Sequence, residues 1–178
     1  MILLYLPGMK RLLLALSAMI SSLFSGCGAQ AAPPFCDNDP VSYEYSYDVC
    51  MANPARWYRV FTDEGGTLCL AYNAGGFEAT ILRAPADILQ TIGKTVREKK
   101  LYNLQRSYTP PFQVLDGYSW HIDIEYEGGS IWSGGSNAHP EKDLDEAIDA
   151  INEYLEGIIA SASEDDVIGR KPYRDVRG

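Results

Sequence analysis

The sequence predicts an α+β domain: an antiparallel sheet of about five or six strands with two helices packed on one face, in the order ββββαββα. Three observations carry this. Short stretches of two-residue alternation gather in two runs, residues 41–83 and 118–133, and Gly-Gly pairs punctuate both. Two longer stretches, after Pro85 and after Pro140, repeat apolar residues every three or four positions instead. Strands that arrive in runs, with helices between and after them, point to α+β rather than to alternating βαβ units.

From the N-terminus, Lys10 and Arg11 precede the apolar run LLLALSAMISSLF at residues 12–24. Its length and basic flank are those of a signal-peptide core, and it is too short to span a bilayer as a mature helix. Met9 is a more usual start than Met1, because the basic residues then abut the apolar run. The run ends in Leu23-Phe24-Ser25-Gly26-Cys27, and small residues just before a cysteine resemble the lipobox of bacterial lipoproteins. Residues 1–26 are therefore expected to be removed and Cys27 to carry lipid, which places the domain at the cell membrane on its extracytoplasmic face. Phe24 stands where such motifs usually have leucine, and Ala29-Gln30-Ala31 offers a rival cut that would release a soluble secreted protein.

Loss of residues 1–26 takes away Lys10 and Arg11 and no acid, so 13 basic residues face 24 acidic ones and the net charge is near −11. Such acidity argues against nucleic acid and against adsorption to anionic head groups, so any membrane contact would run through the lipid alone. The remaining length suits one domain with its own core. Cys27, Cys36, Cys50 and Cys69 match no zinc spacing and have no histidine nearby, so neither a metal nor another cofactor is expected. With Cys27 lipidated, at most one disulfide can form, and Cys36 to Cys50 is the candidate.

Residues 27–40, rich in Ala and Pro, read as a flexible tether. VSYEYSYDV (41–49) alternates as a strand, with Tyr43, Tyr45 and Tyr47 on one face. Three tyrosines in a row could make a carbohydrate or peptide platform, but aromatic faces more often pack a core. RWYRVFTD, a turn at Gly65-Gly66, and TLCLAYN read as a hairpin, and FEATILR as a further strand. Pro85 opens a helix in which Ile88, Leu89, Ile92, Val96 and Leu101 share a face, while Lys94, Arg97, Glu98, Lys99 and Lys100 form a solvated one.

Between residues 101 and 117, Pro110-Pro111 breaks the chain into a loop. YSWHIDIEYE is the clearest strand: Trp120, Ile122, Ile124 and Tyr126 alternate with Ser119, His121, Asp123, Glu125 and Glu127. Gly128-Gly129 is read as its hairpin turn and SIWSG as the returning strand. Pro140 then begins a second helix, where Leu144, Ile148, Ile151, Leu155 and Ile158 step by 4, 3, 4 and 3. Residues 41–162 make the domain, and the charged, aperiodic tail 163–178 is expected to be disordered. Trp57 and Trp120 are each followed by a Gly-Gly pair with seven residues between, at an offset of 63, a pattern that a duplicated strand-strand-helix unit would explain.

The stretch EGGSIWSGGSNAHPE (127–141) holds one of the two histidines and two Gly-Gly pairs. Each unusual residue has a structural use as turn, strand end or helix entry. Glu141, Asp143, Asp145 and Glu146 fill the helix start with negative charge and disfavour an external anion. The candidate interaction surface is Tyr118, Trp132, Asn137 and His139. Catalytic patterns are thin: there is no phosphate loop, zinc helix motif or nucleophile elbow. His121 beside Asp123 and Glu125 reads as a surface histidine, and the acid pair as a solvent face.

At DGYSWHIDIEYEGGSIWSGGSNAHPE the chain resembles an uncharacterised family of small lipoproteins from clostridia-like Gram-positive bacteria. The resemblance is carried by Asp116, Gly117, Ser119, Trp120, Gly135, Asn137, Ala138, Pro140 and Glu141. It implies lipid anchoring and brings no known activity and no catalytic residue. The function expected is a non-catalytic, envelope-anchored binding or interaction domain, with an unidentified envelope or extracellular protein or ligand as partner. A protein inhibitor or immunity-type factor, or less favourably a hydrolytic enzyme, is the alternative. An exposed aromatic patch would mark the first, a protruding acidic loop the second, and a concave pocket holding a histidine or acid pair the third.

Overall fold

The computed structural model describes residues 31–49, 56–73, 77–112, 114 and 116–176. Apart from Ala31, the described residues belong to one compact unit, Ala32–Gly178. The expected signal segment, Cys27 and Cys50 lie outside them.

Seven strands form one antiparallel sheet: β1 (Ser42–Val49), β2 (Arg56–Thr62), β3 (Leu68–Asn73), β4 (Glu78–Arg83), β5 (Tyr118–Tyr126), β6 (Gly129–Ser136) and β7 (Val167–Pro172). Among the described residues two α-helices accompany it, α1 (Ile88–Lys99) and α2 (Lys142–Ser161). The spatial order is β6-β5-β1-β2-β3-β4-β7. β1 lies between its neighbour β2 and the distant β5, with Tyr45 opposite Tyr58 on one side and opposite Ile122 on the other. That position explains the tyrosine row. A central strand has both edges paired, and the helices cover this face over Tyr43 and Tyr45, so both are buried.

Both helices pack on the same face. Ile88, Ile92 and Val96 of α1 and Ala147, Ile148, Ile151 and Leu155 of α2 form one core with Tyr43, Val60, Leu70, Trp120, Ile122 and Ile124. The helices begin slightly later than the prolines suggest. Pro85 accepts a bond from the Ile88 amide in a preceding turn, and α2 starts two residues beyond Pro140.

The strand count and the tail depart from expectation. Residues 167–172, expected to be disordered, pair with β4 from Glu78↔Pro172 to Leu82↔Val167, through a register shift at Ile81/Leu82. This is an edge strand, exposed at most positions. Edge strands need little apolar alternation and commonly carry Arg, Lys and Pro that discourage further pairing, so such a strand resembles a solvated tail in sequence. Beyond it, Tyr173 meets Trp57 edge to face at 4.8 Å. Val176 closes a second small core with Trp57, Cys69, Ala71, Ala79 and Ile81 on the other side of the sheet.

The far end of the expected tether is likewise part of the domain. Residues Pro34–Asp37 form a 3₁₀ turn that buries Cys36. Arg97 of α1 holds the segment by donating to the Asn38 carbonyl at 2.8 Å and to the Asp39 carboxylate at 3.0 Å. Arg97 thus has a specific partner on what the sequence presents as a solvated face. Cys36 is a free thiol, not half of a disulfide; burial pushes its pKa up, and the Tyr126 hydroxyl lies against it.

The β5–β6 turn is Glu127-Gly128, one residue earlier than Gly128-Gly129. Gly128 has φ +97°, whereas Gly129 is the first residue of β6, opposite Tyr126. Gly129 is small for a different reason: a Cβ there would lie 2.4 Å from Phe35 Cδ1. The two Trp-led hairpins are not equivalent, since Trp57 and Trp120 belong to separate cores on opposite faces.

Candidate functional site

Helix α2 carries two rows. The apolar one faces the core, and beside it Asp145, Asp149, Asn152 and Glu156 step by 4, 3 and 4, which keeps them in line along the helix. The tyrosines of β1 and β2 stand opposite. Tyr43 donates its hydroxyl to Asn152 Oδ1 at 2.9 Å in full burial, and Tyr58 donates to Glu156 Oε1 at 2.6 Å. Burial raises the pKa of Tyr43, Tyr45 and Tyr58 well above the usual phenol value, and at Tyr58 the Glu156 hydrogen bond adds to it. All three phenols therefore stay protonated, and Tyr43 and Tyr58 act as donors.

Toward the N-terminal end of α2 this packing opens into a pocket of about 280 Å³, lined by Tyr45, Tyr47, Arg56, His139, Asp145 and Asp149. Arg56 Nε lies 3.4 Å from Glu156, and His139 Nδ1 lies 3.2 Å from Asp145. Tyr47 stacks on Tyr118 at 5.4 Å and 22°, and Tyr118 meets the His139 ring at 4.9 Å. Burial, then the neighbouring Tyr47 and Asp145, raise the pKa of Tyr118.

Three of the four surface residues expected from sequence come together here. Asn137, in the left-handed region at φ +53°, accepts the Tyr118 amide proton on Oδ1 at 3.1 Å and donates its own amide to the Tyr118 carbonyl at 2.9 Å. Gly117 makes room for this clamp, because a Cβ there would fall 1.5 Å from Asn137 Oδ1. The Trp120 indole donates to the Ala138 carbonyl at 2.8 Å, fixing the chain that presents His139.

Trp132 is not part of this group. It sits on the opposite face of the sheet, 44% exposed, 5.2 Å from the His121 ring and 5.5 Å from the Arg106 guanidinium. Asp123, paired in register with both Trp132 and Glu44, belongs to that face. Desolvation raises its pKa, with Glu125 and Glu44 adding to the effect against His121, and its Oδ1 is buried without a hydrogen-bond partner. Glu44 accepts the Trp57 indole proton at 3.1 Å and lies 3.8 Å from Arg59. Among the described residues no cluster of three or more His, Cys, Asp or Glu could hold a metal ion.

Tyr45, Tyr47, Arg56, Asp145 and Asp149 went unread as site residues. The available signal was the second 4-3-4 row on α2, adjacent to the apolar one and carrying acids where a purely solvated face needs no order. Among the described residues no helix is long and apolar enough to cross a membrane. The chain matches no protein-family model, and no curated protein is significantly similar to it.

Proposed function

We propose that the chain is an envelope-anchored, extracytoplasmic lipoprotein whose folded domain binds a partner or ligand without catalysing a reaction. The observation that carries the binding reading is the pocket between β1 and α2. Tyr45, Tyr47 and His139 line it, Tyr118 backs Tyr47 and His139, and the Asn137 clamp fixes Tyr118 while the Trp120 bond fixes the backbone leading to His139. Rigid rings partly open to solvent supply contact area at little entropic cost, as binding surfaces require. His139 and Asp145 match two parts of a hydrolytic triad, but among the described residues the lining adds no serine, threonine or cysteine to serve as nucleophile. The acids of α2 border a concavity rather than a protruding loop, which favours binding over the inhibitor alternative. The anchor reading rests on Gly26-Cys27 behind the apolar run and on the resemblance of the 116–141 hairpin to small lipoproteins.

Capture of partners from envelope extracts, with the chain and its Tyr118→Ala, Tyr47→Ala and Trp132→Ala variants, tests the binding site. The two pocket variants are expected to lose the captured species while Trp132→Ala keeps it; equal capture by all three refutes the pocket. Cys27→Ser is expected to remain unprocessed or to leave the membrane fraction, and a processed, membrane-bound product of unchanged size refutes the anchor.

A further inference from the structure

We infer that the pocket between β1 and α2 takes an organic cation, a methylated ammonium head group being the best match. The inference rests on the reading of this pocket as a binding site and adds the sign and character of what it binds.

The walls give the character. Tyr45, Tyr47 and His139 line the cavity, and Tyr118 stacks on Tyr47 and meets the His139 ring. Aromatic faces are negative at the centre and attract cations whose charge is spread over methyl groups, because such ions give up little hydration on entering. At about 280 Å³ the cavity is just short of the roughly 300–1,000 Å³ that encloses whole drug-sized ligands, so it suits a head group whose remainder stays outside.

The charges give the sign. Asp145 and Asp149 enter from α2, Arg56 from β2 and His139 from the segment before α2. Arg56 is offset by Glu156 at 3.4 Å. Asp145 engages His139 at 3.2 Å, while Asp149 has no hydrogen bond or ion pair among the described residues. With Arg56 and Glu156 cancelling, the two aspartates leave the site negative whether or not the imidazole is protonated. An anion would find one guanidinium, already engaged, facing three carboxylates.

Three probes of one shape and different charge separate the possibilities: tetramethylammonium, neutral neopentyl alcohol and pivalate. Each is titrated into the full-length chain in a nonionic detergent while amide resonances of Tyr45, Tyr47, Tyr118 and Asp149 are followed by NMR. Tetramethylammonium is expected to shift these resonances saturably, and the other two to shift them far less. Asp149→Asn, an exposed helix substitution that leaves the core intact, should weaken tetramethylammonium binding about threefold, and Tyr47→Leu about tenfold. Neopentyl alcohol binding as well as the cation overturns the inference and leaves an apolar binding pocket in place. Preferred binding of pivalate overturns it in favour of an anion site at Arg56. Non-saturating shifts spread over the acidic surface, indifferent to Asp149→Asn, overturn it as counterion attraction. If none of the probes binds, the cation inference fails, while partner capture by the Tyr47 and Tyr118 variants independently decides whether the pocket binds anything.

Discussion

Replacing Gly129 by alanine isolates the contact between the N-terminal arm and the sheet. Gly129 does not have a positive φ, so alanine meets no backbone penalty there and, by reducing the freedom of the unfolded chain, would by itself stabilise by about 0.4–1 kcal/mol. The opposing cost is steric. The new Cβ would lie 2.4 Å from Phe35 Cδ1 and 2.5 Å from Cε1, against about 3.5–4 Å for carbons in contact. The Phe35 ring must therefore move by more than 1 Å, which disturbs its contact with the Tyr126 ring, 5.4 Å away between centroids. Overpacking of this kind costs about 1–3 kcal/mol. In a Phe35→Ala background the obstacle is gone, and Gly129→Ala should become neutral or mildly stabilising, giving a coupling on the order of 1–3 kcal/mol. Urea denaturation of the wild type, the two single variants and the double variant measures it. An equal cost of Gly129→Ala in both backgrounds would mean that Phe35 does not pack on the sheet here and would refute the steric explanation.

Ending the chain after Asp166 removes β7 and the Tyr173–Val176 cover, and should leave Trp57, now fully buried, open to water. A red-shifted tryptophan emission and a loss of about 3 kcal/mol or more are expected, whereas a disordered tail would leave both unchanged. Asp123→Asn bears on pH. Desolvation raises the Asp123 pKa above its ordinary 3.8, so the folded state resists ionisation and stability falls as pH rises from that value through the raised one. The asparagine variant should therefore melt higher than wild type at pH 7, with the gap closing below about pH 4; a constant gap across that range would refute the assignment.

Much of this protein follows from local periodicity. Two-residue alternation specified β1 and β5 and the burial of Tyr43 and Tyr45, and the 4-3-4-3 spacing specified which face of α2 meets the sheet. These patterns are visible in sequence because a strand or helix that buries one face must repeat its apolar residues at its own period. The same alternation, continued from Ile131, also turns Trp132 outward; grouping it with Tyr118 followed nearness in the chain, which says nothing about faces. What the tertiary structure alone decided is which elements become neighbours. The place of β1 between β2 and β5 stands Tyr47 beside Tyr118, and the seating of α2 over β1 brings Asp145 and Asp149 to the tyrosines. The arm at Phe35 and Cys36 and the edge strand β7 were invisible for a related reason. Each is ordered by a surface supplied from elsewhere, Arg97 and Gly129 for the arm and β4 with Trp57 for the C-terminus, so its own residues carry no period to read.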